Sequence, residues 1–300
     1  MEFDFCKRPG QKRIKECITQ NVEPKLTIVT PYYNSDKHFE ETYNCVMNQT
    51  FEEFEWVIVN DGSTNKEHVA ALESYAATDS RIRLFHQENG GQSKAKNYAI
   101  RESQTEIIVF LDADDLIEPF YVEYLYKALE QHPNAGWSYM DLAGFEAVEY
   151  TWCKHFSAGR MMFNNILVNS AAFRKQHLLD VGCFPEVAKH YDEDWALYLK
   201  LLAKEVHPVH IPMIGFWYRK SASGMQQTVR KDEALRKASD AHIAQLAKQV
   251  KRLVEAEIYT GALPEEAVKS EYSKADRILA NVCKTKAGCF IVKCLYKIMK

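Results

Sequence analysis

Short apolar runs alternate with longer amphipathic stretches through the first half of the chain. Leu26-Thr-Ile-Val-Thr30, Glu55-Trp-Val-Ile-Val59, Ile82 to His86 and residues 106–111 are rich in β-branched or aromatic side chains and end in Pro, Asn, Asp or polar turns. Such runs predict buried strands. Between them, helices are predicted over 37–49, from the turn Asn60-Asp61-Gly62-Ser63-Thr64 to about residue 78, over 94–103 with Ser93 as its cap, and over 119–131, opened by Glu118-Pro119. A further strand falls near 135–140. This alternation predicts a mostly parallel α/β sheet with helices on both faces, and a ligand beyond the carboxyl ends of the strands.

The second half is less regular. Aromatics punctuate 141–170, Tyr191-Asp-Glu-Asp-Trp195 opens a leucine-rich helix, and Val206 to Tyr218 predicts a final strand pair broken by Pro208 and Pro212. Residues 228–259 predict one long helix. Its stripe of Ile243, Leu246, Val250 and Leu253 would pack on the sheet domain or on a partner helix, as in a homodimer. Another helix is predicted from Pro264. The segment 284–300 carries five lysines and no acid, a basic amphipathic pattern suited to an anionic membrane surface or to docking on the fold.

Composition narrows the classes. With 46% apolar and 26% charged residues in 300, the chain can bury a full core, and a net charge of −3 argues against a generally basic nucleic-acid binder. No apolar run reaches membrane-spanning length, and the mixed, charged N-terminus is not a signal peptide. The eight cysteines form no C-x-x-C pair and have no zinc spacing, which predicts free thiols and a cytoplasmic setting.

The chemistry gathers at strand ends. The run Glu106-Ile-Ile-Val-Phe-Leu-Asp-Ala-Asp-Asp115 places Asp112, Asp114 and Asp115 where a buried strand leaves the sheet. Clustered carboxylates raise one another's pKa unless a cation sits among them, and Mg²⁺ or Mn²⁺ favours carboxylate oxygens while keeping positions open for phosphates. The plain alternative is an acidic loop opening the next helix. Tyr33-Asn34 and Asp61-Gly62-Ser63 are polar groups at two more strand ends.

Thr30-Pro-Tyr-Tyr-Asn34, Val59-Asn-Asp-Gly-Ser-Thr64, Gly91-Gln-Ser-Lys-Ala-Lys-Asn97, Leu111-Asp-Ala-Asp-Asp115 and Glu193-Asp-Trp195 occur in an order that resembles the family 2 glycosyltransferases, over roughly residues 25–220. The resemblance implies a GT-A fold, a Rossmann-like mixed, mostly parallel sheet flanked by helices, with a C-terminal helical extension. It implies a catalytic domain over 25–225 (nucleotide-binding half 25–140, acceptor half 141–225); a polar N-terminal leader over 1–24 and the C-terminal helical extension over 226–300 lie outside it. The implied activity is transfer of one sugar, with inversion, from a nucleotide-diphospho-sugar, chiefly a UDP-sugar, to a saccharide or lipid-linked acceptor in cell-surface polysaccharide or glycolipid assembly.

By the same resemblance, Pro31, Tyr33 and Asp61 hold base and ribose. Asp112 contacts ribose or metal, and Asp114 the Mn²⁺ or Mg²⁺ ion. Asp194 is the general base, with Glu193 as its rival. Lys96 replaces an arginine often found in the family, keeping the charge but losing the planar fork, and would contact the nucleotide. Arg219 or Lys220 would clamp the diphosphate. Asp115 would stand behind the metal ligands or cap the next helix. A haloacid-dehalogenase-type phosphotransferase also places D-x-D at a strand end, but on its first strand and with Thr or Val where this chain has Leu116. The remaining alternative is a non-catalytic nucleotide-sugar-binding protein of the same fold.

Overall fold

A computed structural model describes residues 3–153, 155–186, 192–220 and 232–260. Its strands are β1 (Leu26–Tyr32), β2 (Phe54–Asp61), β3 (Ile82–Gln87), β4 (Ile107–Phe110), β5 (Leu116–Ile117), β6 (Trp137–Glu146), β7 (Tyr150–Trp152), β8 (Ala172–Arg174) and β9 (Pro208–Lys220). Its helices are α1 (Asp36–Met47), α2 (Lys66–Ala76), α3 (Gln92–Glu102), α4 (Tyr121–Gln131), α5 (Ala158–Met161), α6 (Lys175–Asp180), α7 (Glu193–Leu202) and α8 (Glu233–Thr260).

The strands form one mixed sheet ordered β3-β2-β1-β4-β8-β6-β9-β5, with β7 added on β6. From β1 the chain steps outward through β2 and β3, then returns to the opposite side of β1 for β4; all three of these pairings are parallel. Strand order therefore reverses between β1 and β4, and a crevice opens at such a reversal. Leu111 N–H still donates to the Val29 carbonyl at 3.0 Å, so Asp112 leaves the sheet beside the end of β1.

Period-two alternation buries both faces. Ile28, Trp56, Ile58 and Val109 meet Phe39, Val46, Leu72 and Leu125 from α1, α2 and α4. Val29, Val57, Val59 and Phe110 join the other core, with Ala95 and Ala99 of α3, Leu197 and Leu201 of α7, and Ile243, Leu246 and Val250 of α8. The α8 stripe thus packs within its own chain, on the sheet domain rather than on a partner helix. Ser239 Oγ also donates to Asp192 Oδ2 at 2.8 Å, tying α8 to the residue that precedes α7.

Two expectations are corrected. The predicted final strand pair is one strand, β9. Pro208 is its first residue, and the pairing with β6 shifts from Met140↔Ile211 to Asp141↔Ile214, so Pro212 and Met213 fall in a bulge where no ladder hydrogen bond is lost. The third helix starts at Gln92, not after Ser93, and Gly91 with φ 87° is its N-cap. The N-terminal leader is fastened to the fold. Ile14 N–H donates to Asn48 Oδ1 at 2.7 Å, Ile18 N–H to Asp79 Oδ2 at 2.9 Å, and Phe3 packs 5.1 Å from Trp217.

The short strands β5 and β8 went unpredicted because two or three residues carry no readable period. Among the described residues no helix is long and apolar enough to cross a membrane. The helix predicted from Pro264, the 284–300 segment, the Ser221–Gly224 loop and Tyr191 lie outside the described residues.

Candidate active site

The loops after β1 and β2 are tied to each other. Asn34, with φ 50°, accepts at Oδ1 from the N–H groups of Thr64 and Asn65 at 3.1 and 3.2 Å. Pro31 is half-buried beneath this loop, and Tyr33 is 48% exposed, so its ring is open to a ligand.

Asp61 is buried and engaged. Its carboxylate accepts from the N–H groups of Gly90 and Gly91 at 2.8 Å each and from Gln87 Nε2 at 2.6 Å. Gly91 supplies no side chain to the start of α3, so Asp61 caps that helix from a neighbouring strand. Gly62 follows at φ +70°, and a Cβ there would lie 2.7 Å from the Asn89 backbone nitrogen, so the turn requires glycine. Helix α2 is capped instead by Asn65, which accepts from Glu67 and His68.

One buried ammonium joins the two acid groups. Lys96 on α3 is 0% exposed, with Nζ 3.2 Å from Asp112 Oδ1 and 4.0 Å from Glu193 Oε1. Neither Lys96 Nζ nor Asp112 Oδ1 has a well-directed hydrogen bond. Burial works against the charge, yet Asp112, Glu193 and Asp194 together hold this pKa above its ordinary value. The next residue, Asn97, grips the segment that follows α6, donating to the Phe184 carbonyl at 2.9 Å and accepting from Phe184 N–H at 3.0 Å.

The acid loop is braced from behind. Thr42 Oγ1 donates to the carbonyls of Ala113 and Asp115 at 3.1 and 2.9 Å. Arg219 donates from its backbone to Asp115 Oδ1 at 2.8 Å and from Nε to the Asp114 carbonyl at 2.6 Å. Its terminal nitrogens go to Glu146 at 2.7 Å and Glu41 at 2.5 Å. The guanidinium expected on a diphosphate is therefore bound to protein acceptors and 3% exposed.

Burial, then the neighbouring acids, raise the Asp115 carboxyl well above its ordinary range. Burial and the Asp112 charge push half-buried Asp114 up to about 6. Among the described residues no three acids, imidazoles or thiols converge as a ready-made metal set. Asp112 and Asp114 nonetheless fit a divalent ion that takes its remaining oxygens from a ligand: one oxygen lacks a directed donor, and one carboxyl is short of positive charge.

At the start of α7, the two neighbouring acids differ. Glu193 is buried, accepts from Gln92 Nε2, and is raised to about 8 by burial, against the pull of Lys96. Asp194 is half-buried, and Trp195 N–H donates to its Oδ1 at 2.7 Å. Burial, only partly offset by that bond, Lys96 and Asn165, raises it to about 6. The Trp195 indole is turned to the Met161 carbonyl, at 2.6 Å. Burial, then the charges of Asp115, Asp112 and Asp194, raise the Tyr218 hydroxyl above its ordinary range. Glu41, Thr42 and Asn165 lie in no motif that sequence reading singled out.

A mixed sheet whose strand order reverses between β1 and β4 carries an Asp-Ala-Asp loop after β4 and a second acid pair at the start of α7, and residues 27–185 match the model "Glycosyl transferase family 2". The chain belongs to that family. Asp194 and Arg219 lie beyond the matched residues. The chain is similar to "Glycosyltransferase GlyA" of Streptococcus pneumoniae serotype 4, 35% identical over 111 residues, covering 37% of this chain and 16% of that protein. It is 36% identical over 109 residues to "Uncharacterized glycosyltransferase EpsJ" of Bacillus subtilis, covering 36% of this chain and 31% of that one. The shared stretch is thus less than a third of either relative's length. In fold it is similar to S. aureus TarS 1-349, solved in complex with UDP-GlcNAc, with a TM-score of 0.61, 18% identity, and coverage of 86% of this chain and 78% of that one.

Proposed function

We propose that the chain transfers one sugar from a nucleotide-diphospho-sugar to an acceptor hydroxyl with inversion. The observation that carries this is Lys96, a buried ammonium facing Asp112 of the acid loop and Glu193 beside Asp194. It joins a half-site for a diphosphate to a half-site for a proton acceptor.

Asp194 is the base. Glu193 holds its proton at neutral pH and is closed off by Gln92 and Lys96, whereas Asp194 reaches solvent and ionises near the working pH. Asp194 takes the hydroxyl proton as the acceptor oxygen attacks the anomeric carbon, and the bond from that carbon to the diphosphate oxygen breaks on the opposite side. A single displacement inverts the centre. Lys96 offsets charge on the departing diphosphate. Tyr33 stacks on the base, with Pro31 beneath, and Asp61 holds the loop that borders the ribose. Asp112 and Asp114 hold a Mn²⁺ or Mg²⁺ ion, which supplies neutralisation of the leaving group when bound.

The family's preference for UDP-sugars and the UDP-GlcNAc bound to TarS support a UDP-sugar donor. The acceptor is a saccharide or lipid-linked saccharide of cell-surface assembly, met at the cytoplasmic side. The lysine-rich 284–300 segment suits an anionic membrane there.

The test is Asp194→Asn. Transfer, read as release of the donor's nucleoside diphosphate across a panel of UDP-, GDP- and TDP-sugars with Mn²⁺, is expected to fall roughly 10²- to 10⁴-fold, while UDP still binds. Transfer at the normal rate would remove Asp194 from the mechanism.

A further inference from the structure

The N-terminal segment, which precedes the matched residues 27–185, reaches the acid loop through one carboxylate. Glu41 on α1 gives each oxygen to a different guanidinium: Oε1 accepts from Arg8 Nη2 at 3.1 Å, and Oε2 from Arg219 Nη2 at 2.5 Å. Arg219 continues the chain to the Asp114 carbonyl and the Asp115 carboxyl at 2.6 and 2.8 Å. The Phe145 ring lies against both cations, 5.8 Å from the Arg8 guanidinium and 4.6 Å from that of Arg219.

The segment is built to deliver Arg8. Phe3 and Phe5 pack on Trp217, two residues before Arg219, with ring centroids 5.1 and 6.2 Å away. Gly10, at φ +85°, passes so close to α1 that a Cβ would lie 2.6 Å from the Glu41 carbonyl oxygen. Asn44 Nδ2 holds the Gly10 carbonyl at 3.1 Å. Burial alone would raise Glu41, but its bonds to Arg219 and Arg8 keep it below the usual carboxylate range, so it stays charged between them.

We infer that Arg8 and Glu41 are positioning residues for the donor site. They fix the Arg219 fork, and Arg219 fixes the backbone that presents Asp112 and Asp114. The physical reason is saturation. A planar guanidinium held at three sites cannot swing, whereas one that loses Glu41 keeps a buried donor without an acceptor and drags the Asp114 carbonyl with it. This inference rests on the donor assignment above.

The experiment compares the full chain with Arg8→Ala, Arg8→Lys, Glu41→Gln and Asp114→Asn. Calorimetric titration with UDP and Mn²⁺, the Mn²⁺ spin-resonance signal and ligand-free melting are measured for each. Arg8→Ala and Glu41→Gln are expected to weaken UDP–Mn²⁺ binding about 2- to 10-fold, with the Michaelis constant for acceptor unchanged, and Arg8→Lys to recover most of the loss. Wild-type affinity in both Arg8→Ala and Glu41→Gln, even with lowered melting, overturns the inference and leaves the donor assignment standing. If the wild type fails to bind UDP with Mn²⁺, or Asp114→Asn binds it equally well, the donor assignment falls and this inference with it.

Discussion

Lys96 and Arg219 flank the same acid loop, both almost fully buried, yet their hydrogen bonds are spent in opposite ways. Arg219 is saturated by two carboxylates, a carbonyl and, through its backbone, a third carboxyl. Lys96 has acids at 3.2 and 4.0 Å and no well-directed bond to either. A saturated cation holds protein in place. A cation with unspent donors, buried against two acids, keeps capacity for a further acceptor. Both had been expected to touch the nucleotide; in the structure Arg219 braces the acid loop, whereas Lys96 faces Asp112 and Glu193.

The harshest way to break this contrast is Arg219→Met. It takes the guanidinium from Glu41, Glu146 and the Asp114 carbonyl, and unfolding in denaturant is expected to show a loss of roughly 3–5 kcal/mol. Lys96→Met should do the reverse. Asp112, with its side chain 31% exposed, can be rehydrated, so stability falls less, while UDP affinity drops by about 1.5–3 kcal/mol, the worth of charge-assisted bonds. Equal melting losses for the two variants would erase the distinction.

Proton linkage sharpens it. Asp194, raised to about 6, accepts a proton only in its ionised form. Transfer should therefore rise with pH through about 6 and level off above. The Lys96 charge lowers that value, so Lys96→Met should move the rise to higher pH. Arg219 acts instead on Asp114 and Asp115, so a folded Arg219 variant should leave the profile in place. A rate–pH series on the three proteins decides. The smallest effect is expected from Ser239→Ala, which cuts the bond from α8 to Asp192. It should cost about 1 kcal/mol in melting and leave UDP affinity and the pH profile unchanged.

Much of the site was legible from residue order. The acids at 112, 114 and 194, and Lys96 in the Ser93-to-Asn97 stretch, stand out because strand ends and helix starts are local features. Asp61 stood out for the same reason, but its role as a cap for α3 did not, since Gly90 and Gly91 are brought to it by the fold. The packing of the N-terminal leader was not legible, because its polar composition hides how Phe3, Phe5, Arg8 and Gly10 meet residues far along the chain.

The sequence alone determined where strands run and which ends carry acid, because a two-residue apolar period and a carboxylate after it are written in neighbouring positions. Tertiary structure alone decided what each buried cation does. Arg219 and Glu41 are 178 positions apart, and a side chain's free capacity is whatever its distant partners leave unfilled.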